Sequence, residues 1–129
     1  MRPKVLKAAP YDAKTIEELI NSDPNHLLPR SLKEIKKYID NFYLVKIKGE
    51  VVACGSFEDY SPRIAEIRSL IVSPNHQGRG YGKLLVETLI KKAKKNQEVF
   101  VVTSNPKFFK NLGFQPALRE REILFTKGK

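Results

Sequence analysis

The sequence has few of the side chains that hold metal ions or form disulfides. Its 129 residues include one cysteine, Cys54, two histidines, His26 and His76, and no tryptophan. A single cysteine cannot form an intramolecular disulfide, and these three side chains show no recognisable metal-ligand spacing. The sequence therefore predicts no metal site and favours a reducing compartment. We expect Cys54 to be a buried small hydrophobe rather than a nucleophile.

Long apolar runs are also missing from the chain. No segment approaches the roughly 18 residues of a membrane-spanning helix, and the start lacks the apolar stretch of a signal peptide. Hydrophobic residues make up 41% and charged residues 29% of the sequence, which is typical of globular proteins. These proportions and the length predict one domain over residues 1–129, cytoplasmic and without a membrane partner.

Acidic residues are few compared with basic ones. The chain has 14 Asp and Glu against 24 Lys and Arg, a formal net charge of +10. This balance favours polyanionic partners, which include nucleic acid and phosphorylated cofactors. Because no helix-turn-helix, zinc-finger or RNA-binding signature accompanies the charge, we do not expect a nucleic-acid partner.

The first half of the chain alternates strand and helix patterns. A short strand at 4–8 precedes two helices, of which the second begins at Ser31 with the pattern of a capping box. Two β-rich runs, 42–47 and 51–57, flank a Lys-Gly-Glu turn and predict a hairpin. The run 64–72 has apolar residues at both odd and even positions, which indicates an inner strand covered on both faces.

The second half completes a mixed sheet. A glycine-rich turn and a helix lead to a strand at 99–103, and a short helix precedes a last strand at 122–126. Strand, turn, helix and strand form a βαβ unit with a right-handed crossover. We therefore predict an α+β fold, with a mixed, mostly antiparallel sheet of six to seven strands and helices on both faces.

The glycine-rich turn carries the clearest chemical signal. Gly78, Gly80 and Gly82 let the backbone approach a ligand closely, and the positive end of the following helix favours a phosphate or pyrophosphate. The turn is not a P-loop, because no Gly-Lys-Ser/Thr triplet ends it, and it does not follow the first strand as in a dinucleotide-binding unit. A glycine-rich loop without a ligand is the alternative.

A family resemblance rests on two motifs. The run at 77–82, Gln-Gly-Arg-Gly-Tyr-Gly, resembles the Gln/Arg-x-x-Gly-x-Gly/Ala motif of the acetyl-coenzyme A dependent N-acetyltransferase (GNAT) superfamily, and the Gly-Phe at 113–114 is similar to its closing motif. The segments 28–31, 65–68 and 100–103 resemble those of amino-acid N-acetyltransferases of the N-acetylglutamate synthase type. The likeness covers nearly the whole chain and implies the GNAT fold, with acetyl-coenzyme A as co-substrate.

The resemblance also implies which residues hold acetyl-coenzyme A. Backbone groups of Leu70, Ile71 and Val72 would hold the pantetheine arm and polarise the thioester carbonyl. The pyrophosphate would be bound by the glycine-rich turn, which consists of Gln77, Gly78, Arg79, Gly80, Tyr81 and Gly82. The Arg79 side chain would either face the phosphates or be solvated.

The proton donor that the superfamily uses is replaced in this sequence. Phe109, which the resemblance also implies as a contact of acetyl-coenzyme A, lies four residues before the Gly-Phe motif, where many members have a tyrosine that protonates the departing thiolate. A phenyl ring cannot donate a proton, so water or a hydroxyl, with Ser104 and Thr103 as candidates, is left for that step.

Charged residues supply candidates for acceptor binding. Glu66 is the candidate base for the ammonium proton, and Arg68 shares its strand face at i+2. An internal ion pair between the two is the alternative. Arg30 is expected either to bind a substrate carboxylate through its guanidinium fork or to be simply exposed, and Lys7 is a second candidate for the carboxylate.

The function implied by the resemblance is acetylation of the α-amino group of a small amino acid, L-glutamate foremost, in arginine biosynthesis. The amine would attack the thioester directly in a ternary complex. The nearest alternative is the same reaction on a protein N-terminus, a lysine side chain or a polyamine. A basic nucleic-acid-binding module or a sensor of acyl-coenzyme A is the alternative of a different class. A homodimer is compatible with the sequence.

Overall fold

A seven-stranded mixed sheet forms the centre of the computed structural model, which describes residues 3–23, 27–116 and, by their backbone, 124–127. The strand order is β1-β2-β3-β4-β5-β7-β6. The strands are β1 Val5–Lys7, β2 Phe42–Ile47, β3 Glu50–Ser61, β4 Ile64–Val72, β5 Glu98–Val102, β6 Gln115–Pro116 and β7 Leu124–Lys127. Of the described pairs, β4 and β5 run parallel and the others antiparallel. The predicted mixed, mostly antiparallel sheet is confirmed.

In the described part of the chain, four α-helices cover the two faces of this sheet. They are α1 Ala13–Asn21, α2 Leu32–Lys37, α3 Tyr81–Ile90 and α4 Pro106–Asn111. On one face, Ile16 and Ile20 of α1 and Ile35 of α2 are fully buried in one core cluster with strand residues. On the other face, Leu89 of α3 and Phe109 of α4 belong to a second cluster. The predicted α+β fold with helices on both faces is therefore confirmed. No helix in the described part of the chain is long and apolar enough to cross a bilayer.

A β-bulge in β4 explains why the sequence is apolar at both parities there. Cys54 and Ser56 of β3 pair with Ile71 and Arg68, so β4 uses three steps where β3 uses two. The extra residue places Ser69 in the left-handed region, with φ of 57°. A bulge of this kind reverses the side-chain alternation. Two odd-numbered residues, or two even-numbered ones, therefore point to opposite sides of the sheet when one precedes the bulge and the other follows it.

The core clusters follow this reversal. Ala65 and Ile67 lie in the cluster with α3 and α4, whereas Ile71, at the same parity, lies in the cluster with α1 and α2. Leu70 packs instead toward the α3 side. The strand is inner, as predicted, because β3 and β5 flank it.

The hairpin and the cap follow local sequence signals. Lys48 and Gly49 have φ of 52° and 81°, which fits a type I′ turn between β2 and β3 and confirms the hairpin. Ser31 Oγ accepts a hydrogen bond from Glu34 N at 3.1 Å, as the cap prediction requires. The Glu34 carboxylate does not complete the capping box, because it binds arginine side chains instead.

Two strand predictions need correction. The predicted run 51–57 is too short, because β3 continues to Ser61, where Gln97 Nε2 donates hydrogen bonds to Asp59 Oδ1 and to the Ser61 carbonyl. The predicted last strand overlaps β7 at 124–126, and its first two positions lie outside the described residues. The short strand β6 was not expected from the sequence.

Asp59 provides a test of the contact between the end of β3 and the turn before β5. Its Oδ2 lies 3.0 Å from Lys94 Nζ, and its Oδ1 accepts from Gln97 at 2.8 Å. The hydrogen bonds from Lys94 and Gln97 hold the pKa of Asp59 below its ordinary value. Such a carboxylate stabilises the fold above its unfolded-state pKa of about 3.9, and the contribution is lost as the pH falls through the folded-state value.

We expect Asp59→Asn to lower Tm by ~2–4 °C at neutral pH, with a difference from the wild type that narrows as the pH falls below about 4. Thermal unfolding followed by circular dichroism across this pH range measures both. Asp40→Asn is the control, because the Asp40 side chain is 86% exposed and lies 4.0 Å from Lys7. A Tm difference for Asp59→Asn that stays constant with pH would contradict the assigned electrostatic contribution.

Candidate functional site

A groove of about 950 Å³ lies where β4 and β5 separate. The parallel pairing ends at Glu66 and Phe100, and the described residues of β4 beyond that point have no β5 partner. The groove is lined by 66–72 of β4, the glycine-rich turn, the start of α3, the end of β5 and α4. Its size is typical of small-molecule and cofactor sites.

The β4 bulge leaves backbone groups available to this groove. The described pairs with β3 skip Ser69 and Leu70, and no strand continues the ladder on the β5 side of this stretch. Leu70, Ile71 and Val72 all line the groove. Backbone N–H and C=O groups that lack a ladder partner need another one, and an extended ligand can supply it. The structure therefore brings the three residues predicted to hold the pantetheine arm to one wall.

The glycine-rich turn closes one end of the groove. Gly78 and Gly80 have φ of 77° and 85°, and a Cβ at either position would meet nothing within 4 Å, so the backbone angle rather than crowding requires glycine. Gln77 Nε2 donates to the Val72 carbonyl at 3.2 Å and ties the turn to the end of β4. The first N–H groups of α3, which begins directly after Gly80, have no acceptor within the helix. This end of the groove suits an anion.

Gly82 is required for a different reason. A Cβ there would lie 3.3 Å from Phe108 Cζ and 3.6 Å from Val72 Cγ2, so a side chain would crowd α4 and the end of β4. Glycine at this position lets the first turn of α3 pack closely against the ring of Phe108. The missing side chain keeps the groove open beside the helix N-terminus.

Two polar side chains at this end add to its capacity for a ligand. Lys83 lines the groove in the first turn of α3, whereas Arg79 is exposed and is not among the lining residues. Sequence reasoning missed Lys83, although its place three residues after the helix cap could have pointed to it. His76 also lines the groove, and its Nδ1 is buried without a hydrogen-bond partner in the described part of the chain. The residues present thus fit a phosphate-bearing ligand.

At the other end, Glu66 lines the groove on β4. Its Oε1 accepts a short hydrogen bond from the Tyr60 hydroxyl of β3. Partial burial, and then the hydrogen bond to Glu66, raise the pKa of Tyr60, so this hydroxyl is protonated and remains a donor at neutral pH. The Tyr60 ring packs on Phe100 with centroids 6.2 Å apart, which fixes its direction.

Arg68, two residues further along β4, lines the same groove. Its Nη1 lies 3.5 Å from Glu34 Oε2. Within the described residues no ion pair joins Arg68 to Glu66. The internal ion pair considered as the alternative is not formed; the partners are Tyr60 for Glu66 and Glu34 for Arg68.

Arg30 was predicted either to bind a substrate carboxylate or to be exposed, and its position in the structure fits neither prediction. Its side chain is fully buried, so it is not exposed, and it does not line the groove. Its Nε donates to Glu34, Nη2 lies 2.8 Å from the same carboxylate and donates to Glu58 at 3.2 Å, and Nη1 donates to Ser56 and Ser69. The predicted substrate carboxylate is replaced by two carboxylates of the protein, because a buried guanidinium needs compensating charge and acceptors.

Of the remaining predicted site residues, two line the groove and one lies at the edge of the sheet. Lys7 lies on the edge strand β1, 4.0 Å from Asp40, and does not line the groove. Ser104 lines it and is exposed. Phe109 lines it too, and its buried ring packs edge-on against the neighbouring phenylalanines 108 and 114. The proton donor for a leaving group is therefore not at position 109.

Cys54 lies beneath the groove as a core residue. Its Sγ is 3.6 Å from the Ser69 carbonyl, and burial raises the pKa of the thiol to about 12. A thiol with this pKa is protonated at neutral pH, and thiols act as nucleophiles in the thiolate form. The expected role as a buried small hydrophobe agrees with this position.

Comparison with known sequences identifies relatives of this arrangement. Residues 13–114 match the Acetyltransferase (GNAT) family. An uncharacterized N-acetyltransferase of Chlorobaculum tepidum is 36% identical over 96 residues, which cover 73% of this chain and 62% of the relative. The amino-acid acetyltransferase of Mycobacterium tuberculosis is 30% identical over 119 residues, 88% of this chain and 68% of that protein. The chain thus spans only part of the length of these relatives.

Solved structures show the same fold. A Mycobacterium tuberculosis protein in complex with CoA and NLQ superposes with a TM-score of 0.85 at 29% identity, covering 90% of this chain and 74% of the other. N-acetylglutamate synthase from Neisseria gonorrhoeae, complexed with coenzyme A and N-acetyl-glutamate, superposes with a TM-score of 0.92 at 22% identity. This match covers 99% of this chain and 35% of the synthase chain. With the family match over most of its length, the chain belongs to the acetyltransferase (GNAT) family.

Proposed function

We propose that the protein transfers the acetyl group of acetyl-coenzyme A to the α-amino group of a small amino acid, with L-glutamate as the first acceptor to test. One observation carries this proposal: Glu66 and Arg68 line the same groove two residues apart and do not pair with each other. Tyr60 holds Glu66, and Glu34 holds Arg68. A carboxylate beside a guanidinium complements the ammonium and the carboxylate of an amino acid. The relative named amino-acid acetyltransferase supports the same substrate class.

The donor would occupy the other end of the groove. The glycine-rich turn and the N-terminus of α3 offer backbone N–H groups to the pyrophosphate, and Lys83 adds a cation there. The pantetheine arm would follow the β4 backbone at Leu70, Ile71 and Val72, which brings the thioester toward the bulge. Acetyl-coenzyme A supplies the activated acyl group, and the N–H groups beside the bulge would polarise its carbonyl.

The chemistry at the acceptor end needs a base and a proton source. Glu66 would accept the ammonium proton, directly or through water, so that the neutral amine can attack the thioester carbon. A C–N bond forms, the C–S bond breaks, the nitrogen releases its second proton as the amide forms, and the thiolate takes up a proton. Water, Ser104 or Thr103 would supply it, since both hydroxyl side chains line the groove and Phe109 has no proton to give.

Arg68 is the better candidate for the acceptor carboxylate, because its guanidinium is partly exposed and lines the groove. Arg30 would then contribute from beneath, through the carboxylate of Glu34 and the serine of the bulge. A polyamine would bring further positive charge next to Arg68 and no carboxylate for its guanidinium to bind. An amino acid with a free carboxylate therefore fits this end of the groove better than a polycation.

An acceptor panel tests the substrate class. Release of coenzyme A thiol from acetyl-coenzyme A is measured with the standard amino acids, glutamate α-amide, a polyamine and a peptide amine. We expect turnover with a free amino acid, glutamate first, and roughly tenfold or greater loss of kcat/KM with the α-amide, because one charged hydrogen-bonded pair is removed. Preference for the polyamine or the peptide would refute the proposed acceptor while leaving the donor site intact.

Glu66→Gln tests the assigned base. We expect kcat/KM for the acceptor to fall by about 10²–10⁴, the usual contribution of general base catalysis, while the Kd for coenzyme A measured by calorimetry stays unchanged. Glu18→Gln, on the exposed surface of α1, is the matched control. Full activity in Glu66→Gln would remove this carboxylate from the mechanism.

Gly80→Ala tests the donor end. A residue with Cβ at φ of 85° costs about 1–2 kcal/mol, so the turn should relax and the Kd for coenzyme A should rise by roughly fivefold or more. Gly49→Ala is a close control, because Gly49 has φ of 81° and equally open surroundings but lies in the β2–β3 hairpin. Both variants should lose similar stability. Equal Kd values in the two variants would count against a phosphate site in the turn.

A further inference from the structure

Glu34 connects a buried arginine with an arginine of the groove. Its Oε2 lies 2.8 Å from Arg30 Nη2, 2.9 Å from Arg30 Nε and 3.5 Å from Arg68 Nη1. One carboxylate oxygen therefore accepts from two guanidinium groups. Arg30 is fully buried, whereas the side chains of Glu34 and Arg68 are 34% and 31% exposed.

The position of Glu34 is fixed from two sides. Its backbone N–H is bonded to Ser31 at the start of α2, and its carboxylate is held by the two contacts with Arg30. Arg30 is itself bound to β3 through Glu58 and to the bulge through Ser69. This network places Glu34 rigidly beside Arg68. Arg68 has many rotamers and gains a defined direction from a fixed anionic partner.

Without Glu34, another carboxylate competes for Arg68. Glu66 and Arg68 share one face of β4, where alternate residues are about 6.6 Å apart along the strand. Glu58 and Tyr60 of β3 also face Glu66, but Glu58 is bound to Arg30 and Asn41. An Arg68 released from α2 would therefore turn toward Glu66 and pair with the very carboxylate proposed as the base.

We propose that Glu34 is a positioning residue that directs Arg68 toward the acceptor carboxylate and keeps it away from Glu66. This inference rests on the proposed function, because it requires Arg68 to contact the acceptor. Glu34 does not line the groove and would act only through Arg68. The specificity for an amino acid thus depends on a carboxylate of α2, outside the strand that carries the contacts.

A double-mutant cycle of Glu34→Gln and Arg68→Gln tests the proposal. Steady-state kinetics on the full chain give KM for the acceptor and for acetyl-coenzyme A separately. We expect Arg68→Gln alone and Glu34→Gln alone each to lower acceptor kcat/KM by roughly tenfold or more, with KM for acetyl-coenzyme A unchanged. In Arg68→Gln the loss lies mainly in acceptor KM, whereas in Glu34→Gln kcat falls as well, because Arg68 then pairs with Glu66. In the Arg68→Gln background, Glu34→Gln should cause little further loss, because residues that act through one contact are not additive.

The outcomes separate the inference from the proposed function. If Arg68→Gln leaves acceptor KM unchanged, the proposed carboxylate contact fails and the role of Glu34 fails with it. If Arg68→Gln raises acceptor KM but the two losses add, Glu34 has only a structural role and the inference alone is overturned. Non-additive losses confined to the acceptor support it.

Glu58→Gln is the matched control for stability. Glu58 contacts the same buried Arg30 at 3.2 Å but has no contact with Arg68 among the described residues. We expect both Glu34→Gln and Glu58→Gln to lower Tm, and only Glu34→Gln to raise acceptor KM. Equal rises of acceptor KM in both variants would contradict the inference. If Glu34→Gln does not fold, Glu34→Asp, which keeps the charge but shortens the reach, replaces it in the same cycle.

Discussion

The left-handed bulge at Ser69 is the constraint on which the rest of the site depends. It reverses the side of the sheet to which alternate side chains of β4 point. Apolar residues at both odd and even positions therefore reach one of the core clusters. It also interrupts the ladder at the point where β5 has already separated from β4, and this opens the groove. A serine with positive φ persists only when its surroundings hold it, and here Arg30 donates to its hydroxyl at 3.2 Å.

The two ends of the groove differ in charge, because one offers positive groups and the other carries both a carboxylate and a guanidinium. The turn and the start of α3 offer backbone donors and Lys83, an environment for a polyanion. The other end holds Glu66 and Arg68 apart, through Tyr60 and Glu34, which suits a group carrying both signs. The buried Arg30 links this second end to the bulge through Glu34 and Ser69, so both belong to one network. The positions of a few side chains in the groove therefore indicate the charge of the ligand more clearly than the formal net charge of +10 does.

Sequence reasoning succeeded where the physical cause is local. The hairpin followed from Lys48 and Gly49, whose positive φ a two-residue turn requires, and the second helix followed from the Ser31 cap. The glycine turn was recognised because positive φ and close packing both select glycine. Arg30 and Lys83 were misjudged or missed, because burial and groove lining depend on chain segments that are distant in sequence.

The sequence by itself determined the order of the main strands and helices, the mixed sheet and the position of the glycine-rich turn, since turn angles, caps and side-chain periodicity act over a few residues. The tertiary structure alone decided which charges meet. Arg30, Glu34, Ser56, Glu58 and Ser69 come from the loop before α2, from α2, from β3 and from β4, and they form one largely buried network. Burial forces such groups to find partners across the fold, so the role of each charged residue is set by its neighbours in space rather than in sequence.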